Sequence, residues 1–134
     1  MSQIVVDTDV ASYIFNWHSL AQQYADALRG SELILSFMTI AELRMDAISA
    51  GWGGRRRLLL EQFMQRFELV YADNDLCTVW ARIRADARAA GRALSPQDAW
   101  IAATALALDA PLATNNRRDF EHVQELRLLS LGCR

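Results

Sequence analysis

Apolar and polar positions along the chain follow two rhythms, and the switches between them mark the elements. Gln3 to Val6 is a short run with paired β-branched residues that stops at Asp7, the pattern of a buried first strand in an α/β sheet. After Asp9 and Ser12, the spacing of Tyr13, Ile14 and Trp17 predicts a helix, and a second over Leu20 to Arg29 stops at Gly30. Leu33 to Phe37 reads as the second strand. Ile40, Leu43, Ala47 and Ile48 then recur at helical spacing over Thr39 to Ala50, and Thr39-Ile40-Ala41-Glu42 has the residue order of a capping box. Gly51, Gly53 and Gly54 break the chain before a helix over Arg55 to Phe67, with Leu59, Phe63 and Phe67 four apart. Glu68 to Ala72 reads as the third strand.

The stripe Leu76, Val79, Trp80, Ile83 and Ala87 predicts a helix from near Asp75 to Gly91. Ser95-Pro96-Gln97-Asp98 opens the next one, with Ser as N-cap, Pro in the first helical position and an Ala-rich body through Leu108. Leu112 to Thr114 and Leu126 to Leu131 complete the strands. Strands alternating with helices predict a three-layer α/β fold, with a mainly parallel sheet of about five short strands flanked by helices.

Composition narrows the picture. At 134 residues, 52% of them apolar and 22% charged, residues 1 to 134 are expected to form one globular domain. No apolar run approaches the roughly 18 residues of a membrane span. The start lacks a basic segment and a cleavage site, so a cytoplasmic location is expected. Cys77 and Cys133 have neither metal-ligand nor disulfide-framework spacing and read as reduced thiols. All basic residues apart from two histidines are Arg, which excludes any mechanism needing a lysine.

Four acids stand where a parallel sheet gathers its loops: Asp7 after the first strand, Glu42 in the first turn of the helix after the second, Asp98 and Asp119 around the fourth. Asp98 reaches that rim only if the long helix before Ser95 carries the chain back across the sheet. Singly, Glu42 and Asp98 read as helix-cap acids and Asp7 and Asp119 as turn or surface acids. Together they would repel one another unless cations neutralised them, and carboxylates are hard ligands suited to Mg²⁺ or Mn²⁺. Neither His18 nor His122 has a partner at zinc-ligand spacing. Thr8 and Asp9 beside Asp7, and Thr114 and Asn116 before Asp119, can support such a site. Without the four acids the formal net charge turns from −2 to +2, and Arg55, Arg56, Arg57, Arg117 and Arg118 are available for phosphates. Solvated surface arginines are the plainer reading of both clusters.

The ordered set Ile4-Val5-Val6-Asp7-Thr8-Asp9, Thr39-Ile40-Ala41-Glu42-Leu43, Asp98-Ala99-Trp100-Ile101-Ala102-Ala103-Thr104-Ala105 and Thr114-Asn115-Asn116-Arg117-Arg118-Asp119-Phe120 resembles the PIN-domain ribonucleases, most of all the VapC-type toxins. The resemblance spans nearly the whole chain. It implies that Asp7, Glu42, Asp98 and Asp119 form the family's acidic quartet, with Asp7 and Asp98 the most direct ligands of Mg²⁺ or Mn²⁺, and that Thr114 and Asn116 match its T-x-N positions. The role of Asp9 stays open. Also implied are hydrolysis of an RNA phosphodiester, in tRNA or rRNA, a homodimer, and a VapB-type antitoxin that occludes the acids. Trp52, in a Gly-rich loop beside three arginines, is expected to be an exposed aromatic for RNA or the partner.

Two other readings fit part of the pattern. Asp7-Thr8-Asp9-Val10 also fits the start of a haloacid-dehalogenase-like phosphatase, but the chain has no lysine, no adjacent acidic pair and no length for a cap. A catalytically inactive PIN-like protein-binding module is the other.

Overall fold

The computed structural model describes residues 2–131. Among these, the chain runs β1 (Gln3–Val6), α1 (Thr8–Phe15), α2 (Ala21–Leu28), β2 (Glu32–Ser36), α3 (Phe37–Ser49), α4 (Gly54–Met64), β3 (Glu68–Val70), α5 (Asn74–Ala89), α6 (Pro96–Leu108), β4 (Leu112–Ala113), α7 (Arg117–Phe120) and β5 (Leu128–Leu129). The strands form one all-parallel sheet in the order β3-β2-β1-β4-β5. Val5 pairs with Ile34 on one side and Leu112 on the other, so β1 lies at the centre.

Alternation along β1 sorts its side chains into two cores, one on each face of the sheet. Ile4 and Val6 join Val10, Tyr24, Leu35, Leu43, Leu60 and Phe63, the layer built with α1 to α4. Val5 and Ile34 join Ile101, Ala102, Ala105, Leu112 and Phe120, the layer built with α6 and α7. The Ala-rich face of α6 lets that helix lie close to the strands. Among the described residues no helix is long and apolar enough to cross a membrane. Cys77 is an exposed free thiol, and Cys133 lies outside the described residues.

The strands and the start of α6 fall where the pattern puts them, but several boundaries differ. The helix after β2 begins at Phe37, because Ser36 caps it by accepting from the Met38 N–H at 3.1 Å. Thr39 is therefore a buried helix-interior residue, no capping box forms there, and Glu42 stands in the second turn. α1 ends at Phe15, and Trp17 follows in the left-handed region (φ 55°) with 82% of its surface exposed, outside the helical stripe. On α4 the core is entered by Leu60, Phe63 and Met64, whereas Leu59 is half exposed; on α3, Ile48 is exposed. α7, a single turn, carries no apolar period by which a sequence could announce it.

This register is testable by urea unfolding. Leu60→Ala is expected to cost about 2–5 kcal/mol, as a truncated core leucine does, and Leu59→Ala under about 1 kcal/mol. The reverse order would place the other face of α4 in the core.

Candidate active site

The strand order fixes where a site can form. From β1 the chain builds outward through β2 and β3, then returns to the opposite side for β4 and β5, so the loops diverge between β1 and β4. At the carboxyl ends of parallel strands such a divergence leaves a crevice. Asp7 follows β1 and Thr114 follows β4, directly at that point. A hollow of about 160 Å³ lies there, lined by Asp7, Thr8, Asp9, Glu42, Met45, Asp46, Asp98, Ile101, Asn116, Asp119 and Phe120. All four acids named from the sequence thus share it, with Thr8, Asp9 and Asn116.

Each acid is held by its element. Asp7 ends a buried strand and caps α1, its Oδ1 accepting from the Val10 N–H at 2.9 Å. Glu42 accepts from the Thr8 hydroxyl at 2.6 Å, which lies 3.1 Å from the Thr39 hydroxyl and so ties α1 to α3. Asp98 sits in the first turn of α6, where the Ser95 hydroxyl accepts from its N–H at 3.0 Å and the helix dipole favours negative charge. The start of α6 is pinned by α5: Trp80 Nε1 donates to the Pro96 carbonyl at 3.1 Å, and the Trp80 ring stacks on Trp100. This is how the long helix places Asp98 at the rim. Asp119 accepts from Asn116 Nδ2 at 2.7 Å. Thr114, fully buried, accepts from the Asn116 N–H at 3.0 Å.

Proximity and burial change the acidity of these groups. Burial lifts Asp7 to about 7; hydrogen bonds from Thr114 and the Val10 N–H oppose the rise, and the charges of Asp9 and Asp98 add to it. Asp98 is pushed up to about 6, by burial first and then by Asp119, with Glu42 and Asp9 adding to the rise and the Ser95 hydrogen bond opposing it. Asp9 is raised by burial, then by Asp119 and Asp46. Asp46 is the acid that sequence reasoning missed. Its signal is the four-residue spacing from Glu42, which puts both on one face of α3.

The expected exposure of Trp52 is not met, and the arginine clusters stand outside the hollow. None of Arg55, Arg56, Arg57, Arg117 or Arg118 lines the acidic hollow. Arg55 and Arg56 border a separate groove of about 1080 Å³, with Phe15, Trp17, Leu59 and Phe63. Trp52 is half-buried, with Phe15 stacked at 5.7 Å and the Arg56 guanidinium 4.0 Å from its ring centre, so Trp17 is the exposed aromatic of this region.

The charged and polar side chains that line the hollow all carry oxygen donors of the kind that suits Mg²⁺ or Mn²⁺. Among the described residues no three acidic, histidine or cysteine side chains converge on one ready-made metal position. The carboxylates share a cavity, with Glu42 and Asp119 held by neutral donors. The buried Asp7, raised by its surroundings, is the group whose charged form a cation would stabilise most.

Asp7 makes a pH prediction for the metal-free protein. Between about pH 4 and 7 the folded state keeps a proton on Asp7 that the unfolded chain, at 3.8, has released, so this group's contribution to stability falls as pH rises through that window. Asn can still accept at the cap and has no charge to bury. In EDTA, Asp7→Asn is expected to melt near wild type at pH 4 and at least about 5 °C above it at pH 8, by differential scanning calorimetry. A constant difference across that range would contradict the raised acidity.

A family model described as the PIN domain matches residues 4–126. The chain is 31% identical over 108 residues to "Ribonuclease VapC4" of Mycobacterium tuberculosis, covering 79% of this chain and 82% of that protein. It is 27% identical over 127 residues to "tRNA(fMet)-specific endonuclease VapC" of Shigella flexneri, covering 95% and 96%. The structure of VapBC-1 from nontypeable Haemophilus influenzae superposes with a TM-score of 0.80 at 25% identity, over 96% of this chain and 97% of that one. Sequence and fold agree over nearly the full length: the chain belongs to the PIN-domain family, in its VapC branch.

Proposed function

We propose that this protein is a metal-dependent endoribonuclease toxin of the VapC type, neutralised by a cognate VapB-type antitoxin. The observation that carries the reading is the burial of Asp7 in a hollow shared with Glu42, Asp98 and Asp119. Asp7 and Asp98 would hold Mg²⁺ or Mn²⁺. When bound, the ion supplies charge neutralisation at an RNA phosphodiester and lowers the pKa of an attacking water. Glu42, oriented by Thr8, and Asp119, oriented by Asn116, complete the acidic wall that positions that water. Asp9 and Asp46 add negative charge at the rim and strengthen the demand for a cation. The naming of relatives as ribonucleases, one of them specific for a tRNA, supports structured RNA as the substrate class.

The 1080 Å³ groove gives an antitoxin somewhere to dock: exposed Trp17 and Leu59 are bordered by Arg55, Arg56 and Arg66. A homodimer and a cytoplasmic location belong to the same reading, and Met45, Ile48 and Tyr71 are exposed apolar residues available to a second copy.

Purified, antitoxin-free protein is expected to cut end-labelled tRNA with Mg²⁺ or Mn²⁺ and not in EDTA. Asp98→Ala, purified identically, should lose more than the about 10–100-fold that follows loss of a residue which merely orients a ligand. Mn²⁺ should raise the melting temperature of wild type and not of Asp98→Ala. Equal behaviour of both proteins in both assays would favour the binding module.

A further inference from the structure

Tyr24 on α2 is fully buried, yet it carries a hydroxyl, and a buried phenol needs partners. It joins three segments. Its oxygen donates to Asn115 Oδ1 at 2.8 Å, with the Thr114 carbonyl oxygen at 3.3 Å, and accepts from the Leu131 N–H at 3.1 Å. Thr114 and Asn115 follow β4, and Leu131 follows β5, about ninety residues or more from Tyr24 in sequence. Among the described residues, Tyr24 is the one side chain that bonds the side chain of Asn115.

The same short turn carries part of the acidic hollow. The Thr114 N–H donates to the Leu129 carbonyl at 3.0 Å, and its hydroxyl accepts from the Asn116 N–H and lies beside the Asp7 carboxylate. Asn116 in turn holds Asp119 twice, side chain to side chain at 2.7 Å and through the Asp119 N–H at 3.0 Å. A hydrogen-bonded path therefore leads from the core of the helical layer to the Asp119 carboxylate and passes beside Asp7. Phenylalanine would fill nearly the same volume in that core, so packing alone gives no reason for the hydroxyl.

We propose that Tyr24 is a positioning residue, whose hydroxyl fixes the turn from Thr114 to Asp119 and thereby the placement of Asp7 and Asp119. Its consequence for catalysis rests on the ribonuclease reading of the hollow; its geometric content does not.

The test compares Tyr24→Phe with wild type in three readouts: amide exchange at Asn116 and Asp119 in metal-free protein, Mn²⁺ affinity by calorimetry, and cleavage of end-labelled tRNA. Exchange is expected to accelerate at least about 10-fold at those two amides, Mn²⁺ binding to weaken at least about 5-fold, and kcat to fall at least about 10-fold with KM within about twofold. Asn115→Ala should reproduce these effects, and the double variant should be no worse than either single one. Leu28→Val, one turn further along α2 in the same core, is the stability control, expected to lower the melting temperature while leaving all three readouts unchanged. Wild-type exchange and Mn²⁺ affinity in Tyr24→Phe would overturn the proposal, as would equal losses in Leu28→Val at a matched melting temperature. If wild type cuts no RNA, the ribonuclease reading fails alone, and amide exchange with Mn²⁺ affinity still decides the role of Tyr24.

Discussion

Burying a carboxylate at the centre of a parallel sheet is costly, and the surroundings of Asp7 are organised around that cost. One oxygen caps α1, Thr114 lies beside the carboxylate, and the rest of its charge is left facing other acids. A protein selected for stability alone would place an apolar or neutral residue here. Strain of this kind is kept where charge is wanted for chemistry, and in this hollow the natural relief is a cation.

The topology makes the gathering of acids possible without any of them being close in sequence. Because every strand is parallel, each carboxyl end opens on the same edge, and the divergence between β1 and β4 leaves space there. Short polar links then fix the individual groups: Thr8 joins α1 to Glu42, Asn116 holds Asp119, and Trp80 sets the start of α6 for Asp98. The arginine-bordered groove is a separate feature on the α1, α2 and α4 side, and it shares no lining residue with the acidic hollow.

Much of this was legible in the residues. Gln3 to Val6 reads as a buried strand because β-branched residues fill both faces, and Ser95-Pro96 announces α6 because cap chemistry is local. The four acids read as one site because parallel topology converges them. What escaped depends on contacts remote in sequence or on ambiguous local signals. Ser36 and Thr39 are both competent caps, and only the end of β2 decides between them. Asp46 looks like any solvated helix acid until α3 is docked against α1 and α6. The arginine runs are adjacent in sequence, but a helix turns about 100° per residue, so adjacency does not put them on the acidic face.

The central claim is that burial disfavours the charged form of Asp7, and its titration tests this most directly. Carbon-13 NMR of the Asp7 carboxyl in metal-free protein should give a midpoint near 7, falling as Mg²⁺ is added. A midpoint near the ordinary value of 3.8, unchanged by Mg²⁺, would contradict the account.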